Sequence, residues 1–144
     1  CVLSGLLLGP LYGFFAAAIG NGLFDIIGGY GMEFIITFIN KGAIALVTGL
    51  IAYKAASKET LDGRDHARII VGSVLGALTY TALYLLKSYL TLRFTTGAVD
   101  PVAVQATMLS KAASSLFNAA FAFIVAPIFF NVLRKPLRGL GLYA

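Results

Sequence analysis

The chain has 144 residues, 59% of them hydrophobic and only 12% charged, against roughly 25% charged in ordinary soluble domains. With apolar runs of about 18 residues or more recurring along it, this excludes a water-soluble globular fold and points to a helical membrane protein. The net charge of +5 does not require a nucleic-acid partner, because the basic residues gather at segment ends; the single cysteine excludes an internal disulfide and a cysteine cluster for metal.

Residues 1–10, CVLSGLLLGP, read as a helix remnant over about 1–8, broken at Gly9-Pro10. The segment lacks a basic n-region and a cleavage site, so it is not an intact signal peptide. Leu and Val continuing into a span argue against a lipid-modified Cys1, and the chain reads as starting inside a longer protein. Full spans are predicted at about 10–28, 32–54, 67–90 and 102–133. The expectation is one domain over 1–144, an all-α integral membrane bundle of four full transmembrane helices plus the N-terminal remnant. The last segment exceeds the roughly 20 residues a bilayer needs, which predicts tilt or projection. Small residues four apart, such as Gly5/Gly9, Gly13/Ala17, Ala16/Gly20 and Gly72/Gly76, permit close helix packing.

The linker 55–67, AASKETLDGRDHA, is the only strongly polar loop. With the C-terminus on the same side, Lys54, Lys58, Arg64, Arg68, Arg134, Lys135 and Arg138 fall on one face and Lys87 and Arg93 on the other. That asymmetry assigns the linker and the C-terminus to the cytoplasm, with outer loops at about 25–31 and 91–101. His66 then sits in the cytoplasmic loop, solvated.

The stretch Gly9 to Gly42 joins two membrane-length segments by a Gly-rich bend and holds a lysine. Lys41 lies about nine residues into the second segment, roughly 14 Å along a helix rising about 1.5 Å per residue. A charge at that depth is costly and normally faces a protein interior or cavity. Glu33, Thr37, Asn40, Lys41 and Thr48 share one face of that helix, interrupted by Ile44; Thr107, Lys111, Ser114, Ser115 and Asn118 share a face of the last one. Both helices run from outside to inside, so Lys41 and Lys111 are expected at similar depth beside one outward-opening pocket. Asn40 and Asn118 would add directional hydrogen bonds, and Glu33 would lie nearer the mouth. Two lysines there favour an anionic or carbonyl-rich ligand. The structural alternatives are lysines that snorkel to the interface, or a Lys41 neutralised by Glu33 or Asp25. Asn21 and Asp25 either line the same mouth or cap the first span; Tyr80 and Tyr84 are either ligand platforms or interfacial belt residues.

Catalytic motifs are absent. Asp62-Gly63-Arg64-Asp65-His66-Ala67-Arg68 has a superficial likeness to the signature of phospholipid head-group transferases. It carries one residue too many between Gly63 and Ala67 and lacks the two downstream aspartates that would hold metal. No phosphate loop, HExxH or Ser/His/Asp set is present, and no cofactor is expected.

LLLGPLYGFFAAAIGNGLFDIIGGY followed by FIITFINKGAIALVTGLIAYK resembles the S components of energy-coupling factor (ECF) transporters, the riboflavin-type and uncharacterised group above all. Gly9, Pro10, Gly13, Gly20, Asp25, Lys41 and Gly42 carry the match, and SLFNAAFAFIVAPIFFNVLRKPLRGL resembles the family's final helix with its basic tail. The resemblance implies a six-helix fold of which this chain keeps part of helix 2 and helices 3 to 6. It implies a vitamin or related micronutrient as ligand, taken from outside a bacterial-type plasma membrane. It also implies a transmembrane coupling subunit and two cytoplasmic ATPase subunits as partners. The candidate ligand-binding residues are Asn21, Asp25, Glu33, Asn40, Lys41, Tyr80, Tyr84, Lys111, Ser115 and Asn118. The competing reading is a small membrane scaffold whose polar faces bind partner helices.

Overall fold

A computed structural model describes residues 1–31, 33–94 and 101–139, with the side chain of Glu33 excepted. Among these residues the chain forms four helices, α1 (Val2–Ile27), α2 (Glu33–Ala56), α3 (Gly63–Phe94) and α4 (Pro101–Gly139). All four are long and apolar enough to cross a membrane. In hydrocarbon every backbone N–H and C=O must find a partner inside its own segment, and the helix does this.

α1 is not continuous. Gly9 adopts φ 81°, a left-handed value that only glycine takes without steric cost, and Pro10 follows with no N–H to donate. The chain turns back on itself there. Residues 2–8 run antiparallel to 10–27: Ser4 Oγ reaches Gly13 O at 3.4 Å and Asn21 Nδ2 reaches Cys1 Sγ at 3.4 Å. Gly13 lets the two arms touch, since a Cβ there would lie 2.9 Å from Gly5 Cα.

α2 seats itself between these arms. Gly5 meets the backbone of Ala45, while Gly49 meets Pro10, whose N and Cα would lie 2.6 and 2.7 Å from an added Cβ. Gly42 receives the ring of Phe14, which also makes an edge contact with Phe38 at 5.9 Å between centroids. α3 approaches the other side of α2 through Gly72, against Ala52, and Gly76, against Thr48. α4 closes on α3 and touches the first arm of α1, so that Val2, Leu6, Ile44, Ala52, Ala56, Ile69, Ala126 and Phe130 form the buried apolar core.

The connections differ in kind. The α1–α2 turn carries positive φ at Gly29 and Gly31. The α2–α3 linker is tied down by charge: Lys58 Nζ pairs with the buried carboxylate of Asp65 at 2.8 Å. Arg134 donates to the carbonyls of Lys58 and Glu59, and Arg138 donates to Ser57 O at 2.6 Å. The linker and the far end of α4 therefore occupy the same end of the bundle. α3 starts four residues before the expected 67 and ends four after 90, because Gly63-Arg64-Asp65-His66 are drawn into its first turn by bonds from the amides of Asp65 and His66 to Asp62 O. α4 runs on to Gly139 through Pro127 and Pro136. Its 39 residues span roughly 58 Å at about 1.5 Å each, well beyond a hydrocarbon core of about 30 Å. The expected outer loop at 91–101 lies largely outside the described residues, as does the side chain of Glu33.

Candidate functional site

Two cavities flank α2 and α3, one against the end of α1 and its turn, the other against the first arm of α1 and α4. The outer, about 310 Å³, is lined by Phe24, Asp25, Tyr30, Ile36, Thr37, Asn40, Lys41, Tyr80, Tyr84 and Lys87. The inner, about 440 Å³, lies among Cys1 to Leu3, Ile44, Ala77, Phe121, Val125 and Phe129, with Lys41, Tyr80 and Asn118 as its polar members. Lys41 and Tyr80 are the two residues that line both. Volumes of this order suit small-molecule sites, which are mostly apolar with a few placed polar groups.

The geometry at the junction is specific. Lys41 Nζ sits 4.2 Å from the centroid of the Tyr80 ring. Tyr80 stacks on Tyr84, one helical turn away, with 5.7 Å between centroids and 22° between planes. Lys111 Nζ reaches Tyr84 at 5.9 Å and donates to Ser88 Oγ at 3.3 Å. The two lysines thus grip successive rungs of one ladder on α3, Lys41 at Tyr80 and Lys111 at Tyr84 and Ser88. The spacing of α4 could not reveal this offset. Lys111 does not line either of the two cavities described.

Among the described residues, no carboxylate lies within ion-pairing distance of Lys41 and no protein oxygen accepts a hydrogen bond from it. A lysine at mid-helix depth costs about 2.5–3.5 kcal/mol by insertion measures. A cation–π contact returns about 2 kcal/mol when desolvated. Among the described residues the ammonium is held by the Tyr80 ring, with the charge of Asp25 as a favourable neighbour.

The other predicted residues separate into groups. Asn40 is buried and lines the outer cavity with Asp25. Asn21 is turned to its own helix and the first arm, donating to Ala17 O at 2.8 Å and to Cys1 Sγ. Ser115 is buried and donates to Thr81 Oγ1 at 3.0 Å, which pins α4 to α3. Asn118 borders the inner cavity. Thr37 and Lys87, not among the ten candidates, line the outer cavity. Their signal lay in spacing: Thr37 is four residues before Lys41, and Lys87 three after Tyr84.

This arrangement of apolar helices around a polar-mouthed cavity agrees with a comparison by family. The chain matches the model of the ECF-type riboflavin transporter S component over residues 1–135. It belongs to that S-component family. S components are substrate-binding subunits of membrane transporters, not enzymes. A Pyrococcus woesei relative, described as an uncharacterized protein in the gap 3' region, is 33% identical over 88 residues, covering 61% of this chain and 53% of the relative. The chain thus spans about half the length of that curated relative. No solved structure matches the chain.

Proposed function

We propose that this S-component chain captures a vitamin or related micronutrient from outside the membrane for ATP-driven uptake. The observation that carries the reading is the ammonium of Lys41 on the Tyr80 ring, set among Asp25, Asn40 and Tyr84 in a cavity of small-molecule size. A carbonyl-rich or anionic ligand would supply acceptors that Lys41 does not find among the described residues. Lys111 would act from the adjacent rung, steadying Tyr84 rather than touching the ligand directly. Asn21 and Ser115 fit positioning roles, because Asn21 is committed to its own helix and the first arm of α1, and Ser115 to α3.

The outward direction of capture follows from charge. Lys54, Lys58, Arg64, Arg68, Arg134, Lys135 and Arg138 lie toward the linker end, and the positive-inside rule would set that end in the cytoplasm. A transmembrane coupling subunit and two cytoplasmic ATPases, the partners that the family resemblance implies, would then act from that side.

Binding to the chain in lipid nanodiscs, followed by calorimetry against a panel of vitamins with riboflavin as first probe, tests the reading. Saturable one-to-one binding of a panel member is expected. A helical, monodisperse sample that binds none, and instead retains a stoichiometric protein partner, would move the assignment to the scaffold reading.

A further inference from the structure

The outward apolar stripes of three helices each end in a cation at the same end of the bundle. On α2 the stripe runs through Ile39 and Leu50 to Lys54, and on α3 it runs back through Leu75 and Val71 to Arg68. On α4 it runs through Ile124 and Ile128 to Lys135. Helical spacing keeps each cation on the face of its own stripe, and exposed Arg64 stands one turn beyond Arg68. Arg134 and Arg138, by contrast, bond the linker carbonyls. Lys54, Arg64 and Lys135 have no ion-pair partner among the described residues. Arg68 stands in the field of Asp65, but both oxygens of that carboxylate are bonded to Lys58. Along α3, Arg68 lies roughly 31 Å from the exposed Tyr89, about the thickness of a hydrocarbon core. With that phenol at one interface, the guanidinium reaches the headgroups of the other. The far end lacks the pattern: Lys41 and Lys87 line the outer cavity and Lys111 bonds Ser88.

We propose that Lys54, Arg64, Arg68 and Lys135 form a belt that binds anionic phospholipids. The acyl chains lie along the stripes and the phosphate stops at the cation that ends each one. Arginine takes two phosphate oxygens at once, and lysine acts as a point charge. A zwitterionic lipid brings its own ammonium, which the belt repels, so the net charge of the headgroup decides which lipid stays. The belt is independent of the capture reading: it draws on none of the residues that line the two cavities.

The test reconstitutes the full chain in phosphatidylcholine vesicles containing a trace of chain-spin-labelled phosphatidylglycerol or phosphatidylcholine. The motionally restricted fraction of each label gives its relative association with the protein. At low salt phosphatidylglycerol is expected to associate about threefold more strongly. In 1 M NaCl, where the Debye length is about 3 Å, the preference should fall to parity. Replacing the belt together, Lys54→Gln, Arg64→Gln, Arg68→Gln and Lys135→Gln, should also bring it to parity, whereas Arg93→Gln at the other end should keep it. Equal association of the two labels with the unaltered chain at low salt overturns the belt, as does a preference that survives 1 M NaCl. A folded fourfold variant that retains the preference, or a loss just as large on Arg93→Gln, overturns it too. Should the fourfold variant fail to fold, the salt series on the unaltered chain decides alone.

Discussion

At the end that carries Lys58, Asp65, Arg134 and Arg138, helices meet backbone to backbone and the linker is bolted to α4. At the end that carries Lys41, Tyr80 and Lys111, the helices border cavities, and the contacts are rings, ammonium groups and hydroxyl hydrogen bonds. The glycines explain the first: Gly49 and Gly72 bring α2 within reach of Pro10 and of α3. At the second, Tyr80 and Tyr84 line the cavity and meet the two lysines. A bundle packed in this way can keep its base fixed while groups at its mouth rearrange, as the proposed capture would require.

The largest predicted effect attacks the base. Gly49→Ala drives a Cβ into the rigid backbone of Pro10 and should lower stability by about 1–3 kcal/mol, read as earlier thermal unfolding in detergent. Gly20→Ala, with nothing within 4 Å of the added atom, should leave unfolding unchanged; equal losses at both sites would erase the contrast between the two ends. Next comes the mouth. Lys41→Met should weaken binding of the vitamin probe at least tenfold, about 1.4 kcal/mol, without shifting unfolding downward, and equal affinity would remove Lys41 from the site. Lys58→Met breaks a pair whose lysine is 53% exposed, so screening keeps the loss below that of Gly49→Ala; it should appear in denaturation and not in ligand affinity. Arg138→Gln is the mildest. It should speed hydrogen exchange of residues 57–62 while the amides of the Tyr80–Tyr84 turn keep their protection.

Much of the bundle was legible because apolar length and helix-breaking residues are local properties. Gly9-Pro10 announced a break, and Lys41 announced a face that hydrocarbon would not tolerate. What sequence could not supply was rotation and tilt of one helix against another. Lys41 and Lys111 count to similar depths along their own helices, yet α4 is set so that Lys111 meets Tyr84 and Ser88, a turn or more from Tyr80. Ser115 shares a polar face with Lys111 and is spent on Thr81 instead. The helix α3 extends beyond the expected span of about 67–90 for a related reason. Asp65 looks like loop by charge, but its carboxylate takes a bond from Lys58 at 2.8 Å and another from the Asp62 amide at 3.3 Å, and so becomes part of a helix start.

The docking of the Gly9–Pro10 bend against Gly49 has a consequence eight residues away. It fixes the azimuth of α2, and each residue of a helix turns the next by about 100°. The bend therefore serves as an index mark for Lys41, much as a keyway sets the angle of a shaft. Inserting one alanine between Ile44 and Gly49 would leave the linker bolts untouched and swing the ammonium about 100° off Tyr80.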